Sequence, residues 1–232
     1  VFSISLRADS ISKIYGAGLL SEGRCVFQNV SFEIRPGETF GLTGPSGEGK
    51  STLGRVIAGI EKPTYGTVYY EGSSLSEMKK TKYMAFRRKV QIMFQDPTGA
   101  FNPRKKIGSS VFDVLKLLKI PNIEHASKTK EMLITIGLSE EVLPRYPSQL
   151  SGGQLQRLAL GRILLLEPEY IILDEPTSAL DVSVQAQILH MLKNVQTEKN
   201  IGYILISHDQ AVIRFMSDTC GLLESGQLRV ID

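Results

Sequence analysis

A chain of 232 residues, 42% hydrophobic and 22% charged, has the composition of an ordinary folded protein, with length for one large unit or a core carrying an insert. Its net charge of +3 is too small to argue for a nucleic-acid partner. No run approaches the roughly 18 apolar residues that span a bilayer, and Val1-Phe2-Ser3 shows no basic-then-apolar leader, so membrane association is expected through a partner.

In chain order, Ser3–Leu6 and Val26–Phe32 alternate like strands with no helix between them, which predicts an antiparallel layer. Thr39–Thr43 is a short β-prone run, and Lys50–Ala58 is helical with Gly59 as its stop. Val68–Tyr70 and Val90–Phe94 read as strands. Ile107–Ile136 is helical, broken at Pro121, with Val111, Val114, Leu115 and Leu118 at helical spacing. A helix follows over Gln154–Leu165, then a continuous apolar strand, Tyr170–Leu173. Val182–Val195, Tyr203–Ile206 and Leu228–Val230 supply a further helix and two strands. The alternation predicts an α/β unit over residues 1–232, with a mainly parallel sheet and a helical insert at about 97–165. Cys25 and Cys220 lie far apart without metal-ligand spacing, so two buried thiols in a reducing compartment are expected rather than a bridge.

Gly44-Pro45-Ser46-Gly47-Glu48-Gly49-Lys50-Ser51 matches the phosphate-loop pattern in full, between a strand and a helix. Glycines let the backbone curl so that successive N–H groups face negative charge, and the helix adds its positive end. Lys50 is expected at the β- and γ-phosphates, Ser51 at Mg²⁺, and Thr52 belongs to the same set. Glu48 is unusual here. A carboxylate about 8 Å from a phosphate costs on the order of 2 kcal/mol at an effective dielectric of 20, so Glu48 is expected to point into solvent. The run Tyr170-Ile171-Ile172-Leu173-Asp174-Glu175 ends an apolar strand in two carboxylates. Asp174 can hold Mg²⁺ through water, and Glu175 can orient or deprotonate an attacking water.

Between these two runs lies Leu150-Ser151-Gly152-Gly153-Gln154. With it the chain resembles the ABC ATPases, whose signature is this pentapeptide, over nearly its whole length and in the family's order. The resemblance implies a RecA-like P-loop NTPase core and the cofactors ATP and Mg²⁺. It implies that Tyr15 stacks on adenine, that Gln95 senses the γ-phosphate and Mg²⁺, and that His208 contacts the γ-phosphate. Asp181 is implied to communicate across a dimer. Ser151, Gly152, Gly153 and Gln154 are implied to face ATP held by a second ATPase subunit, since the helix tip they form suits an anion.

Tyr146-Pro147-Ser148-Gln149 resembles a sequence common in importers. Ala85-Phe86-Arg87-Arg88, Gln91, Phe94-Gln95-Asp96 and Asn102-Pro103-Arg104 resemble the peptide/nickel importer group, as does the insert Gly16–Arg24, which is especially similar to the second nickel import ATPase. The chain stops soon after Leu228–Val230, without the extension of many peptide-importer ATPases, leaving nickel, metal–chelator complexes or short peptides as the cargo. The implied partners are transmembrane permease subunits, a second ATPase of the same or related sequence and, indirectly, an extracytoplasmic binding protein. The implied place is peripheral, on the cytoplasmic face of the membrane. An ATPase of an exporter or lipoprotein-release system is the rival, followed by a soluble ABC protein acting on ribosomes or DNA. The signature and Gln95 argue against a P-loop kinase or GTPase.

Overall fold

A computed structural model describes residues 5–16 and 23–231. Strands β1 (Leu6–Tyr15) and β2 (Arg24–Ile34) pair antiparallel. With β4 (Tyr65–Tyr70) and the two-residue β5 (Ser73–Ser74) they form a four-stranded sheet in the order β2-β1-β4-β5. Its alternation explains the pairing, because Leu6, Ala8, Ile11, Phe27, Val30 and Ile34 are buried while the opposite face is wet. Ser3 and Ile4 of the first expected strand, and residues 17–22 of the segment Gly16–Arg24, lie outside the described residues.

A second sheet takes the order β10-β9-β3-β8-β7-β6, built from β10 (Gln227–Ile231), β9 (Thr219–Glu224), β3 (Thr39–Thr43), β8 (Gly202–Ile206), β7 (Tyr170–Asp174) and β6 (Val90–Met93). Pairings from β9 through to β6 are parallel, and β10 closes the edge as an antiparallel hairpin. Every residue of β7 and β8 is buried, which is why both read as unbroken apolar runs. Ile171, Leu173, Tyr203 and Leu205 face a core shared with the helices α3 (Ile107–Leu117), α4 (Asn122–Thr135), α5 (Gly152–Leu164), α6 (Val182–Lys199) and α7 (Gln210–Met216). On the other side, Leu42, Ile172, Ile204 and Ile206 pack with α1 (Lys50–Ile57) and the antiparallel sheet. The parallel sheet thus separates two cores. Because β3, β6, β7 and β8 run the same way, the loops starting at Gly44, Phe94, Glu175 and Ser207 emerge at one carboxyl edge.

The expected break at Pro121 holds, with α3 ending at Leu117 and α4 beginning after Pro121 at its N-cap. Helix α6 runs to Lys199, beyond the expected Val195, and Asn200 ends it in the left-handed region (φ 53). One further helix, α2 (Lys80–Lys89), has no counterpart among the expected elements, because it buries only Phe86 and so lacks an apolar stripe. The thiols correct the expectation of burial: both are free, but Cys25 is exposed on the wet side of β2 and Cys220 is only half-buried.

Ile172 is fully buried in β7, and Gly54 of α1 comes so close that a Cβ there would lie 3.0 Å from Ile172 Cγ2. Ile172→Ala is expected to cost about 2–5 kcal/mol. A lowered urea midpoint at unchanged m is the supporting result, and an unmoved midpoint contradicts the packing described.

Candidate functional site

The phosphate-loop segment leaves β3 at Gly44, whose φ of 145° and surroundings admit only glycine, since a Cβ would lie 2.1 Å from the Leu223 carbonyl oxygen. Gly49 N-caps α1 at φ 93°, with Val26 Cγ1 2.3 Å from where its Cβ would stand. Between them Pro45, Ser46 and Gly47 line an exposed rim. Lys50 is buried, and its ammonium donates to the carbonyls of Gly44 (2.7 Å) and Pro45 (2.8 Å), spanning the concave side of the loop. Thr52, the third residue of α1, is buried and accepts from Arg55 Nη2 at 2.9 Å. Glu48 departs from the expected solvent-pointing orientation. It is half-buried, with Oε2 3.4 Å from the amide nitrogen of Gly226, because the β9–β10 turn is bound to β2 through Gln28 N–H and the Gly226 carbonyl (2.8 Å).

Ser51, on the first turn of α1, donates to Asp174 Oδ1 at 3.0 Å, joining the ends of β3 and β7. Burial pushes the Asp174 carboxyl up, and the neighbouring Glu175 charge adds to this, while Ser51, Arg55 and Lys50 oppose it. Glu175 follows at φ 51°, a left-handed conformation costly for a non-glycine residue, and its N–H is tied to the Ile206 carbonyl at 2.9 Å. Both His208 Nδ1 (2.8 Å) and the His208 backbone N–H (3.1 Å) bond Glu175 Oε1. Gln95, just beyond β6, donates to Ser178 Oγ at 3.3 Å, and Ser178 in turn donates to the Glu175 carbonyl at 3.2 Å.

Ser151 caps α5 reciprocally with Gln154: the serine hydroxyl accepts from Gln154 N–H (3.3 Å), and the Gln154 side chain accepts from Ser151 N–H (3.0 Å). Gly152 and Gly153 lie against Leu180 and Val184, and a Cβ on Gly153 would approach Val184 to 2.7 Å. Asp181 is the exposed N-cap of α6, accepting from Val184 N–H (3.0 Å) and Ser183 Oγ (2.9 Å). Those bonds, the Val184 amide first, hold its carboxyl below the usual range. Tyr15 is 41% exposed, its hydroxyl donates to Glu61, and Lys13 Nζ lies 4.8 Å from its ring centroid. Burial alone would raise the Glu61 carboxyl, but bonds from Tyr15, Arg55 and Lys13 outweigh it and hold it at about 2.

Lys50, Ser51, Asp174, Glu175 and His208 therefore converge at the carboxyl edge, with Gln95 connected through Ser178. The Ser151–Gln154 cap makes its described contacts with α6 and the turn before it. Sequence reasoning passed over two residues. Ser178 is an ordinary turn serine by type. Gln156 sits one turn into α5, is buried, and donates to the Pro176 carbonyl at 2.6 Å, joining the helix that starts at Ser151 to the loop after Glu175. Its signal was a polar side chain on the buried side of an apolar helix.

A glycine loop closed by Lys50 and Ser51, with paired carboxylates at the end of the parallel strand next but one, defines a P-loop nucleotide-binding cassette. The chain belongs to the ABC transporter family, whose model matches residues 27–178. It is 43% identical over 204 residues, 87% of its length, to the putative oligopeptide transport ATP-binding protein YkfD of Bacillus subtilis (strain 168), covering 62% of that protein. It is 40% identical over 227 residues, 96% of its length, to the dipeptide transport ATP-binding protein DppF of Haemophilus influenzae, covering 69% of that protein. The chain thus spans about two thirds of the length of such relatives. Among solved structures, a dimeric ATP-binding cassette in a post-hydrolysis state with ADP and Pi superposes with a TM-score of 0.84 at 30% identity, over 98% of both chains. The structure of cbiO1 from Clostridium perfringens, part of the transporter complex cbiONQ, gives 0.86 at 26% identity, over 98% of this chain and 87% of that one.

Asp174 gives a pH test. Its folded pKa lies above the unfolded value near 3.9, so its charge at neutral pH costs stability, and the cost fades as pH falls through the folded value toward the unfolded one. Asp174→Asn is expected to raise Tm at pH 7.5, without Mg²⁺ or nucleotide, with the gain shrinking at lower pH. A variant that melts lower than the parent at pH 7.5 contradicts this.

Proposed function

We propose that the chain is the ATP-hydrolysing subunit of an ABC importer for short peptides, working as half of a dimer on the cytoplasmic face of a membrane. The observation that carries the proposal is the junction of Lys50, Ser51, Asp174 and Glu175 at one sheet edge. The glycine-lined cradle and the Lys50 ammonium suit the β- and γ-phosphates of ATP. A hydroxyl and a carboxylate oxygen 3.0 Å apart fit Mg²⁺, a hard cation that takes few protein oxygens and shares substrate phosphates. When bound, Mg²⁺ supplies charge neutralisation on the phosphates. Ser51 and Asp174 would hold it, and Gln95, bonded to Ser178 in the loop after Glu175, would supply a further oxygen.

Glu175 is the group suited to take a proton from an attacking water, since both His208 bonds fall on Oε1 and fix the carboxylate's orientation. The proton would pass to Oε2. His208 acts as the positioning group and brings a ring close to where the terminal phosphate would lie. Tyr15, fixed at its hydroxyl by Glu61, offers its ring to adenine. The capped tip of α5 presents Gly152 and Gly153 to phosphates held by a second subunit, and Asp181 beside it serves the same interface. Dimeric cassettes among the solved relatives support this arrangement. The helical segment at about 97–165 then works as an arm that carries the signature. A cleft of about 410 Å³ between the β6 exit and this arm, lined by Phe94, Ala100, Val114, Arg162 and Ile163, is the seat for a permease subunit. Short peptides are preferred over nickel as cargo because the relatives above are named for oligopeptides and dipeptides.

Glu175→Gln is expected to keep Mg-ATP binding, lower kcat by at least about 10²-fold and accumulate a dimer on gel filtration. Monomers with undiminished hydrolysis would refute the assignment. Ser151→Arg should leave the monomer's ATP affinity within about twofold while suppressing hydrolysis, because its target lies on the partner. Loss of nucleotide binding by the isolated monomer would remove that role in trans.

A further inference from the structure

The cations of this chain are unevenly spread. Positions 79–89 hold six of its 27 Lys and Arg residues (Lys79, Lys80, Lys82, Arg87, Arg88, Lys89) and none of its 24 Asp and Glu residues. Outside that stretch 21 basic residues stand against 24 acidic ones, so the remainder of the chain is net negative and α2 alone makes the whole basic. The burial of α2 is as lopsided. Phe86 is its one buried residue, anchored against the Tyr70 and Tyr83 rings at 5.4 and 5.9 Å, while Lys79, Lys80, Lys82, Met84 and Arg88 are exposed. Lys89 pairs with Glu169 at 3.3 Å, and Arg87 donates to the Ala58 carbonyl. Among the described residues, Lys79, Lys80, Lys82 and Arg88 enter no ion pair.

Apolar groups stand among these charges. Met84, on the same helix, is 60% exposed. A cleft of about 450 Å³ between α2 and β4 is lined by Lys62 and Lys80 together with Val68, Leu75 and Met78. Unpaired cations beside the exposed Met84 and an apolar-walled cleft match the two layers of an anionic bilayer surface, phosphate first and acyl boundary beneath. Helix α2 also leads directly into β6, where the Gln91 side chain bonds the Arg87 and Arg88 carbonyls and lines the cleft assigned above to a permease. We infer that the exposed face of α2, with Lys80, Lys82, Met84 and Arg88, binds the anionic lipid headgroups beside the permease, giving the chain a membrane contact of its own. The inference takes its location from the proposed function and its chemistry from α2.

The test is co-sedimentation of the chain with phosphatidylcholine vesicles, with or without about 30% phosphatidylglycerol, at about 50 mM and about 0.5 M salt. Binding is expected to the anionic vesicles alone and to be lost at high salt. Lys80→Gln/Lys82→Gln/Arg88→Gln should lower the partition coefficient roughly a hundredfold. The control Lys116→Gln/Lys130→Gln/Lys199→Gln, exposed cations on other helices, should lower it far less. Retained Mg-ATP hydrolysis in both variants shows that they are folded and keeps this outcome separate from the ATPase reading. Equal binding to neutral vesicles, binding to neither, equal losses in the two variants, or binding of an RNA oligonucleotide without vesicle binding would each overturn the inference.

Discussion

A buried carboxylate meets a hydroxyl 3.0 Å away where two parallel strands end, and most of the molecule is arranged around that contact. Asp174 sits at the end of a strand buried at every position, and burial works against its charge. An isolated carboxylate there would be expensive. It is tolerable because β3 and β7 flank β8 in one parallel sheet, which brings Ser51, Lys50 and the tip of α1 to the same edge. The site is thus a consequence of strand direction: an antiparallel β7 would send Asp174 to the opposite end of the sheet.

The same edge carries strain that other contacts hold in place. Glu175 takes a left-handed backbone, and its N–H bond to Ile206 and the two His208 bonds fix both its main chain and its carboxylate. Gln156 reaches the adjoining Pro176 carbonyl from α5, and Ser178 reaches the Glu175 carbonyl while accepting from Gln95. A displacement of α5 or of the β6 exit therefore acts directly on the loop that bears Glu175. In this way α5 and the sheet edge are mechanically coupled, in keeping with the core they share.

Much of this was legible in the sequence where local pattern and tertiary role coincide. Tyr170–Asp174 reads as a buried strand because both of its faces are covered, and Gly44–Ser51 reads as a loop because Gly44 and Gly49 each occupy a place no larger residue fits. The break at Pro121 is a property of proline itself. Helix α2 was not legible, since Phe86 is its one buried residue and no stripe recurs. Cys25 misled because thiols are usually buried, whereas its place on the wet face of β2 depends on strand register. Ser178 was silent as well, and Gln156 showed only as a polar residue in an apolar helix, for their value depends on partners supplied by segments about eighty and twenty residues away.

Glu48 illustrates how far a fold can reconcile a residue with a site that local reasoning says it should avoid. A negative charge within a loop that receives phosphates is unfavourable by on the order of 2 kcal/mol if it points inward at about 8 Å. Escape into solvent is the obvious remedy, yet the side chain turns instead to the Gly226 amide at the β9–β10 turn. That turn is held at β2 by the Gln28–Gly226 bond, with Gly226 at φ 72° and its N–H on Glu48. The carboxylate is therefore drawn toward a backbone dipole and away from the concave side spanned by Lys50. Since β2 also supplies Val26 against Gly49, one strand edge both shapes the cradle and diverts the charge that would otherwise oppose its ligand.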